Sequence, residues 1–309
     1  MSLQPEPETH PVPRAKAPWP LKAESYLLFL NMKELPKGVY DKLEEAWEGE
    51  EYGAFKGGLG AVMIIRYSDT PVGPYDELIL IPGNFTVPQP SSPPSTPIKI
   101  PKKALRIARI YVSQRTTTYN GRLNWNIPKH LARFSFSSPT SSSQSSSSLP
   151  PAPLTVRVFP PNSTPGDSTL PFFSCTLQPW RWIPSIPVNT SYVPISLLMA
   201  QPPCIAAPGQ AAAARMEAEQ GGKIDAYDIS EKNEEALAVG TERWCGVELS
   251  ATSWAKGCWV EMGGGGKGAE GGEKVEQGRW WPEGVRPWRV GLWMEDGLFE
   301  FGVPSEWKL

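Results

Sequence analysis

Thirty-five prolines among 309 residues set the first limit on this chain. Each removes a backbone N–H and fixes φ near −65°, so helix interiors could not absorb them and a mainly helical protein is excluded. They are also unevenly spread. With serine they crowd two stretches, TVPQPSSPPSTPIKIP after Phe85 and SFSSPTSSSQSSSSLPPAP from Ser135. Neither offers enough apolar surface to offset the entropy of ordering it, so both are expected to be insertions, near residues 86–100 and 137–153. Two further weak stretches are APGQAAAARMEAEQGG, within 206–222, and the glycine run with its charged continuation, 263–278. The alanine-rich piece has helix-forming residues but no clear apolar face. Setting these aside with a proline- and charge-rich N-terminal tail, residues 1–18, leaves roughly 230 residues, the size of one β-rich domain. A single domain over 19–309 is therefore expected.

What remains reads mostly as strands: residues 26–30, 59–67, 77–81, 105–112, 131–136 and 154–159 are short apolar or alternating runs bounded by Gly, Pro, Asp or Ser. The clearest alternation is in LARFSF (131–136) and LTVRVF (154–159), which predicts antiparallel neighbours joined by an overlong loop. Asp296-Gly297 between residues 290–294 and 298–301 predicts a hairpin. One amphipathic helix is expected over residues 37–47, with Val39, Tyr40, Leu43 and Trp47 at helical spacing and Asp41, Glu44 and Glu45 on other faces. The many tryptophans, among them Trp180, Trp182, Trp244, Trp254, Trp280, Trp281 and Trp288, are expected to fill a β core rather than line a pocket. Strand counting supports a mainly β, antiparallel protein.

Composition narrows the function. Thirty Lys and Arg against 32 Asp and Glu give no basic field to hold a nucleic acid. Four cysteines without a CxxC pair and only two histidines, His10 and His130, do not make a dedicated metal site. The N-terminus lacks the apolar core of a signal peptide and no 18-residue apolar stretch follows, so a cytoplasmic protein with reduced thiols and no membrane contact is expected.

The chemistry-bearing residues fall in a particular order. Gly73-Pro74-Tyr75-Asp76-Glu77-Leu78 is followed by an apolar run ending Ile110-Tyr111-Val112, then Gly121-Arg122, five residues, and Pro128-Lys129-His130-Leu131. This ordered set resembles the acetoacetate decarboxylase family, in which a G-x-Y-x-E segment, a strand and a G-R-x5-P-K-K-L segment build the active site. The resemblance runs over roughly residues 18–159. It implies a closed or cone-like antiparallel β-barrel with a few peripheral helices, a homo-oligomer, a small-molecule keto acid as partner, and no cofactor. Lys129 falls on the family's Schiff-base lysine and Glu77 on its active-site glutamate, where it would handle a proton or orient substrate. The serine and proline insertions look similar to those of fungal relatives, which implies a polyketide-derived β-keto acid of secondary metabolism.

Such a lysine attacks the ketone of a β-keto acid as a neutral amine, and the protonated imine draws electrons from the departing carboxylate. Neutrality near pH 7 requires its pKa to fall by about 3 units from about 10.4, roughly 4 kcal/mol. Desolvation or a neighbouring cation supplies this. His130 stands where the family has a second lysine and tunes that pKa; as a histidine near its ordinary 6.5 it would be mostly neutral, leaving burial among Trp125, Ile127 and Leu131 to do more. Leu123 replaces the acidic residue usual after Gly-Arg. Arg122 is expected to meet a substrate carboxylate or a structural ion-pair partner. The family's arginine in an early strand has Lys33 and Arg66 as candidates by position. Lys102 and Lys103, in Pro101-Lys102-Lys103-Ala104-Leu105, mimic the motif but precede the strand and lack Gly-Arg, so they are expected to be a solvated pair. Two other functions fit the same residues: a Schiff-base aldolase or dehydratase on this scaffold, and a non-catalytic barrel holding a small apolar ligand.

Overall fold

The computed structural model describes residues 10–91, 98–138, 152–167, 169–192, 197–219, 225–263 and 277–309. Most of the expected insertions, namely 92–97, 139–151, 220–222 and 264–276, lie outside these, as do residues 1–9 of the expected tail. From His10 onward the chain packs inward: Val12 is buried and His10 stacks on Tyr119 at 3.7 Å.

The long strands β1 (Trp19–Met32) and β2 (Phe55–Asp69) pair antiparallel along most of their length. β2 is the branch point of the molecule. Its first residues pair with β4 (Asn84–Thr86), while Ala61 to Tyr67 pair with β3 (Tyr75–Ile81). Where the first set ends stand Gly57, paired with Asn84, and Gly58 after it, both at positive φ (66° and 94°). That backbone is open to glycine at little cost and allows one strand to serve two partners. Through β4 the sheet continues to β5 (Lys103–Leu105); through β3 it continues to β6 (Arg109–Val112) and β7 (Lys129–Leu131). A helix, α1 (Arg115–Trp125), carries the chain from β6 to β7, which pair parallel with Ile110 opposite Lys129.

The hairpin expected from alternation forms, with β8 (Arg133–Ser137) antiparallel to β9 (Leu154–Phe159). β10 (Phe173–Pro179), β11 (Ile186–Asn189) and β12 (Met199–Gln201) follow, then helices α2 (Gln210–Glu219) and α3 (Glu231–Leu237). The last strands are β13 (Trp244–Val247), β14 (Leu249–Met262), β15 (Val290–Phe301) and β16 (Ser305–Trp307), with α4 (Gln277–Trp280) before β15. Among the described residues the sheet runs from β16 to β8 without those edges meeting. The pairs β5–β12 and β6–β7 are parallel. One large mixed sheet with few helices therefore replaces the expected closed, antiparallel barrel, because the β6–α1–β7 crossover returns the chain in the same direction.

Two other expectations are corrected. Glu295-Asp296-Gly297 does not turn a hairpin: β15 runs straight through it as one strand with a register shift against both β1 and β14, so the extra residue is a β-bulge. Of the tryptophans assigned to the core only Trp244 and Trp281 are buried; Trp182, Trp254 and Trp288 are exposed, and Trp19, Trp47, Trp125, Trp293 and Trp307 fill the interior instead. The expected helix is a 3₁₀ helix, Lys42–Glu48, capped by the Asp41 carboxylate on Leu43 N.

The sheet buries both faces. On one, Ala61, Met63, Ile65 and Tyr67 of β2 join Tyr75, Ile79, Ile110, Val112, Leu131 and the α1 residues Tyr119 and Trp125. On the other, Val62, Ile64, Leu78, Leu80 and Tyr111 pack with Tyr40 and Trp47. No helix among the described residues is long and apolar enough to cross a membrane.

Candidate active site

Everything that positions Lys129 follows from the β6–α1–β7 crossover. Gln114 caps α1 by accepting from Thr117 N. The helix stops at Asn126, whose left-handed backbone (φ 56°) donates to the Arg122 carbonyl, and Pro128 prevents its continuation. β7 then starts at Lys129. Strand alternation turns Lys129 and Leu131 toward α1 and the first core, and His130 toward Tyr111 and the second.

The lysine stem lies against α1 at Gly121. A Cβ there would sit 2.8 Å from Lys129 Cδ and 2.9 Å from Cε, so the glycine of the Gly-Arg pair makes the groove the stem occupies. The amine is buried. Nζ meets Thr117 Oγ1 at 2.8 Å, Glu77 Oε2 at 2.9 Å and the Tyr75 hydroxyl at 3.5 Å, and it lies 5.0 Å from the Tyr75 ring centre. Glu77 is also buried, carried into place by β3, where it pairs with Ile65 and Val112. Tyr67 packs beside Tyr75, the two ring centres 4.5 Å apart. Burial first, and the Glu77 charge second, push both tyrosines well above their ordinary value of 10, so both remain neutral O–H groups. The amine thus has a carboxylate to exchange a proton with and hydroxyls to bond a reacting oxygen.

Tyr67 and Tyr75 have a second role in the geometry. They line a cavity of about 650 Å3 together with Glu24, Arg66, Asp76 and Ser113. Lys129, Glu77 and Thr117 do not line it, whereas Tyr75, whose hydroxyl meets Nζ, does. Arg66 lies between Glu24 (3.5 Å) and Asp76 (3.6 Å) and over the Phe136 ring. Burial, opposed by Arg66, raises Asp76 to about 6.

His130 and Arg122 form a different cluster, at the sheet edge. His130 Nε2 is 2.9 Å from Glu44 Oε2, and Nδ1 is 3.0 Å from Glu234 Oε1. Two carboxylates on two ring nitrogens require both to donate, hence an imidazolium. Burial alone would lower its pKa, but Asp41, Glu44 and Glu234 outweigh it and hold His130 well above 6.5. The expectation of a mostly neutral neighbour is overturned. The side chain also faces away from Nζ, with its charge matched by those carboxylates. Arg122, fully buried, bonds Glu44 Oε1 (3.0 Å) and the carbonyls of Ile205 (2.7 Å) and Val239 (3.1 Å). It is the ion-pair partner of Glu44 rather than a group facing Lys129. Single ligand-type atoms of Asp41, Glu44 and His130 lie within 4.8 Å of one another, close enough for a small cation, but Arg122 and His130 already balance these carboxylates.

Lys102 and Lys103 are exposed, as expected of a solvated pair, and so is Lys33. Thr117 and Tyr67 lie outside the ordered motif, and Tyr75 lies within it without a role assigned from sequence. Glu44 was read as the polar side of an amphipathic helix, whereas it is fully buried. A carboxylate in a segment whose neighbours are apolar at helical spacing gives no sign of an arginine 78 residues away.

No family model and no curated protein matches the sequence. Solved structures do. The enduracididine biosynthesis enzyme MppR, complexed with the condensation product of pyruvate and imidazole 4-carboxaldehyde, is 12% identical over 94% of this chain and 90% of its own, with a TM-score of 0.48. An acetoacetate decarboxylase from Legionella pneumophila is 9% identical over 98% and 93%, TM-score 0.46. An acetoacetate decarboxylase-like enzyme from Sphingomonas wittichii RW1 is 11% identical over 95% and 94%, TM-score 0.48. Over nearly its whole length, the chain is similar to acetoacetate decarboxylases and to enzymes like them.

Proposed function

We propose that this protein is a cofactor-independent carboxy-lyase that decarboxylates a β-keto acid through an imine at Lys129. The observation that carries this reading is a buried lysine amine 2.9 Å from a buried carboxylate, on the residue to which the sequence resemblance assigns the Schiff base. Glu77 takes a proton from Nζ, freeing the amine to attack the ketone. It returns that proton to the carbinolamine oxygen, the nitrogen gives up a second hydrogen to the same oxygen, and the oxygen leaves as water. The protonated imine then accepts the electron pair of the breaking carbon–carboxylate bond, carbon dioxide departs, and an enamine remains. Protonation at carbon and addition of water release the ketone and restore the lysine. Ile110, Ile127 and Leu131 in the surrounding core exclude bulk water from the imine, which would otherwise hydrolyse before losing carbon dioxide. On the same sequence resemblance we place the substrate among polyketide-derived keto acids and the enzyme in a homo-oligomer.

Borohydride reduction with a panel of β-keto acids, followed by peptide mapping, tests the mechanism. The modified peptide should contain Lys129, and each turnover should release one carbon dioxide. A label on Lys102, or no label with a substrate that turns over, would sink it. A labelled Lys129 without carbon dioxide would instead favour the aldol or dehydration chemistry open to the same imine.

A further inference from the structure

We propose that the open end of one sheet face, around Trp259, is where two copies of this chain meet across a two-fold axis. This deepens the homo-oligomer placed above, rests on it and names its surface. Strand register fixes which residues share the face. Trp259 of β14 pairs with Val290 of β15, and Gly257 with Leu292; Leu292 pairs with Leu27 of β1; Leu27 and Phe29 pair with Met63 and Ala61 of β2. Met63 and Ala61 belong to the first core, and strand alternation puts the residues paired with them on the same side of the sheet. The Trp180 ring takes the space of a Gly257 side chain, whose Cβ would fall 2.2 Å from it, and lies 5.4 Å from the Trp259 ring. Trp288 packs on Phe29 at 5.8 Å.

At one end this face is covered, where Tyr119 and Trp125 of α1 join its core. At the other it is bare. Trp259 is 55% exposed, Trp288 50% and Leu59, two residues before Ala61, 46%, while Leu27, Phe29, Trp180, Val290 and Leu292 are half-buried. At ~150–250 Å2 for a whole aromatic side chain, the bare parts come to about 500 Å2, toward the upper end of the ~300–600 Å2 found for the largest apolar patch on a monomer. A stable interface takes about 800 Å2 from each partner, roughly 65% of it apolar where copies of one chain meet. The patch supplies that apolar share.

Beside Trp259 the surface dips into a recess of about 340 Å3, lined also by Thr176, Gln178, Glu261 and Arg289. Glu261 and Arg289 are exposed, and no ion pair among the described residues engages either. An apolar patch with one unmatched charge of each sign at the same recess is complementary to itself: a two-fold axis sets Glu261 of each copy against the partner's Arg289. An anionic bilayer fits less well, because the Glu261 carboxylate would meet like charge there and lose its water. A second copy supplies both the apolar cover and the counter-charges.

Sedimentation velocity on the full chain, between about 1 and 100 µM, tests this. The wild type should sediment as an oligomer of even copy number, and W259E should raise the dissociation constant of the two-fold contact at least about 30-fold. E261R and R289E should each weaken it about tenfold alone. An equimolar mixture of E261R and R289E should associate within about threefold of the wild type, since every charge contact in a mixed pair joins opposite signs; an ion pair within one chain would give no such recovery. An oligomer that W259E leaves at wild-type strength would overturn the surface and leave the homo-oligomer standing. If W259E fails to fold, the charge pair decides, and a mixture that associates no better than either variant alone overturns the proposal. A monomeric wild type would overturn both surface and homo-oligomer, and its co-sedimentation with phosphatidylcholine–phosphatidylserine vesicles would give the face to a lipid instead. The variants leave Lys129 and Glu77 in place, so borohydride labelling judges the imine mechanism separately.

Discussion

Gly121 shows how tightly one position is fixed by the lysine beside it. In helix α1 an alanine would be favoured over glycine by about 1 kcal/mol, yet its Cβ would fall 2.8 Å from Lys129 Cδ. The stem is flexible but buried, and its amine is held by Thr117 and Glu77, so the strain is relieved by displacing the amine. Overpacking costs typically about 1–3 kcal/mol, which the helix gain partly offsets. Gly121→Ala is therefore expected to change stability by less than about 2 kcal/mol while slowing imine formation on the order of 100-fold, the effect of a misplacement near 1 Å. Denaturant unfolding and the rate of borohydride labelling on one preparation check this; labelling at the wild-type rate would mean that the groove has room to spare. Glu77→Gln acts oppositely. It leaves the Lys129 amine buried without its counter-charge, and a loss of about 3–5 kcal/mol is expected on unfolding, with labelling abolished.

At the scale of elements, the β6–α1–β7 crossover carries the site and was the least legible part of the sequence. RTTTYNGRLNW offers three threonines, two asparagines and a glycine, all poor helix formers, and six of its polar residues are buried. The helix is held by its surroundings: Asn120 bonds Ala15 N and the Pro13 carbonyl, and Asn124 bonds the Ala15 carbonyl. Only its ends speak in the sequence, Gln114 as cap and Asn126 with Pro128 as stop. The β8–β9 hairpin was legible because alternation there is undisturbed. That Lys129 and Glu77 belong to one cluster was legible because an ordered motif does not depend on knowing the helix between its parts, and the two side chains do meet. Asp296-Gly297 misled because the dipeptide that favours a turn also serves a bulge. Glu44 was missed because its partners come from α1 and β7, remote in sequence. Its removal should be costly: Glu44→Ala strips Arg122 of its carboxylate and His130 of one, and the lost counter-charge on a fully buried guanidinium is worth about 3–5 kcal/mol. Chemical denaturation reads it directly, and a loss below about 1 kcal/mol would show that Arg122 is satisfied by its carbonyls alone.

For the whole molecule, the His130 cluster joins four separate stretches of chain: the 3₁₀ helix Lys42–Glu48, α1, β7 and α3. Its protonation therefore bears on global stability. Around the imidazole stand Asp41 and Glu44, Glu234 of α3, Arg122 of α1, and Arg109 and Tyr111 of β6. The folded state holds the His130 proton well above the ordinary 6.5, so the stability it contributes is complete below about pH 6.5 and is lost as pH rises through the folded-state pKa. Asp76, raised to about 6, acts in the same sense but earlier, its contribution fading between about pH 4 and 6. His10, lowered first by burial, runs the other way, losing stability as pH falls below about 6.5. Burial raises the thiols of Cys175, Cys204, Cys245 and Cys258 as well, so they lower stability as pH approaches about 8.5, and the decline expected between pH 6.5 and about 7.5 is the part assigned to His130. In His130→Gln, which keeps two polar ends without a titrating charge, the protein should be less stable at pH 6 and its unfolding free energy should be nearly flat from about pH 6.5 to 7.5, below the range where the buried thiols count. Urea midpoints of both proteins across that range decide it: a variant whose midpoint falls as steeply as the wild type would place the titrating group elsewhere, and His130 would then be neutral between carboxylates of which one keeps a proton.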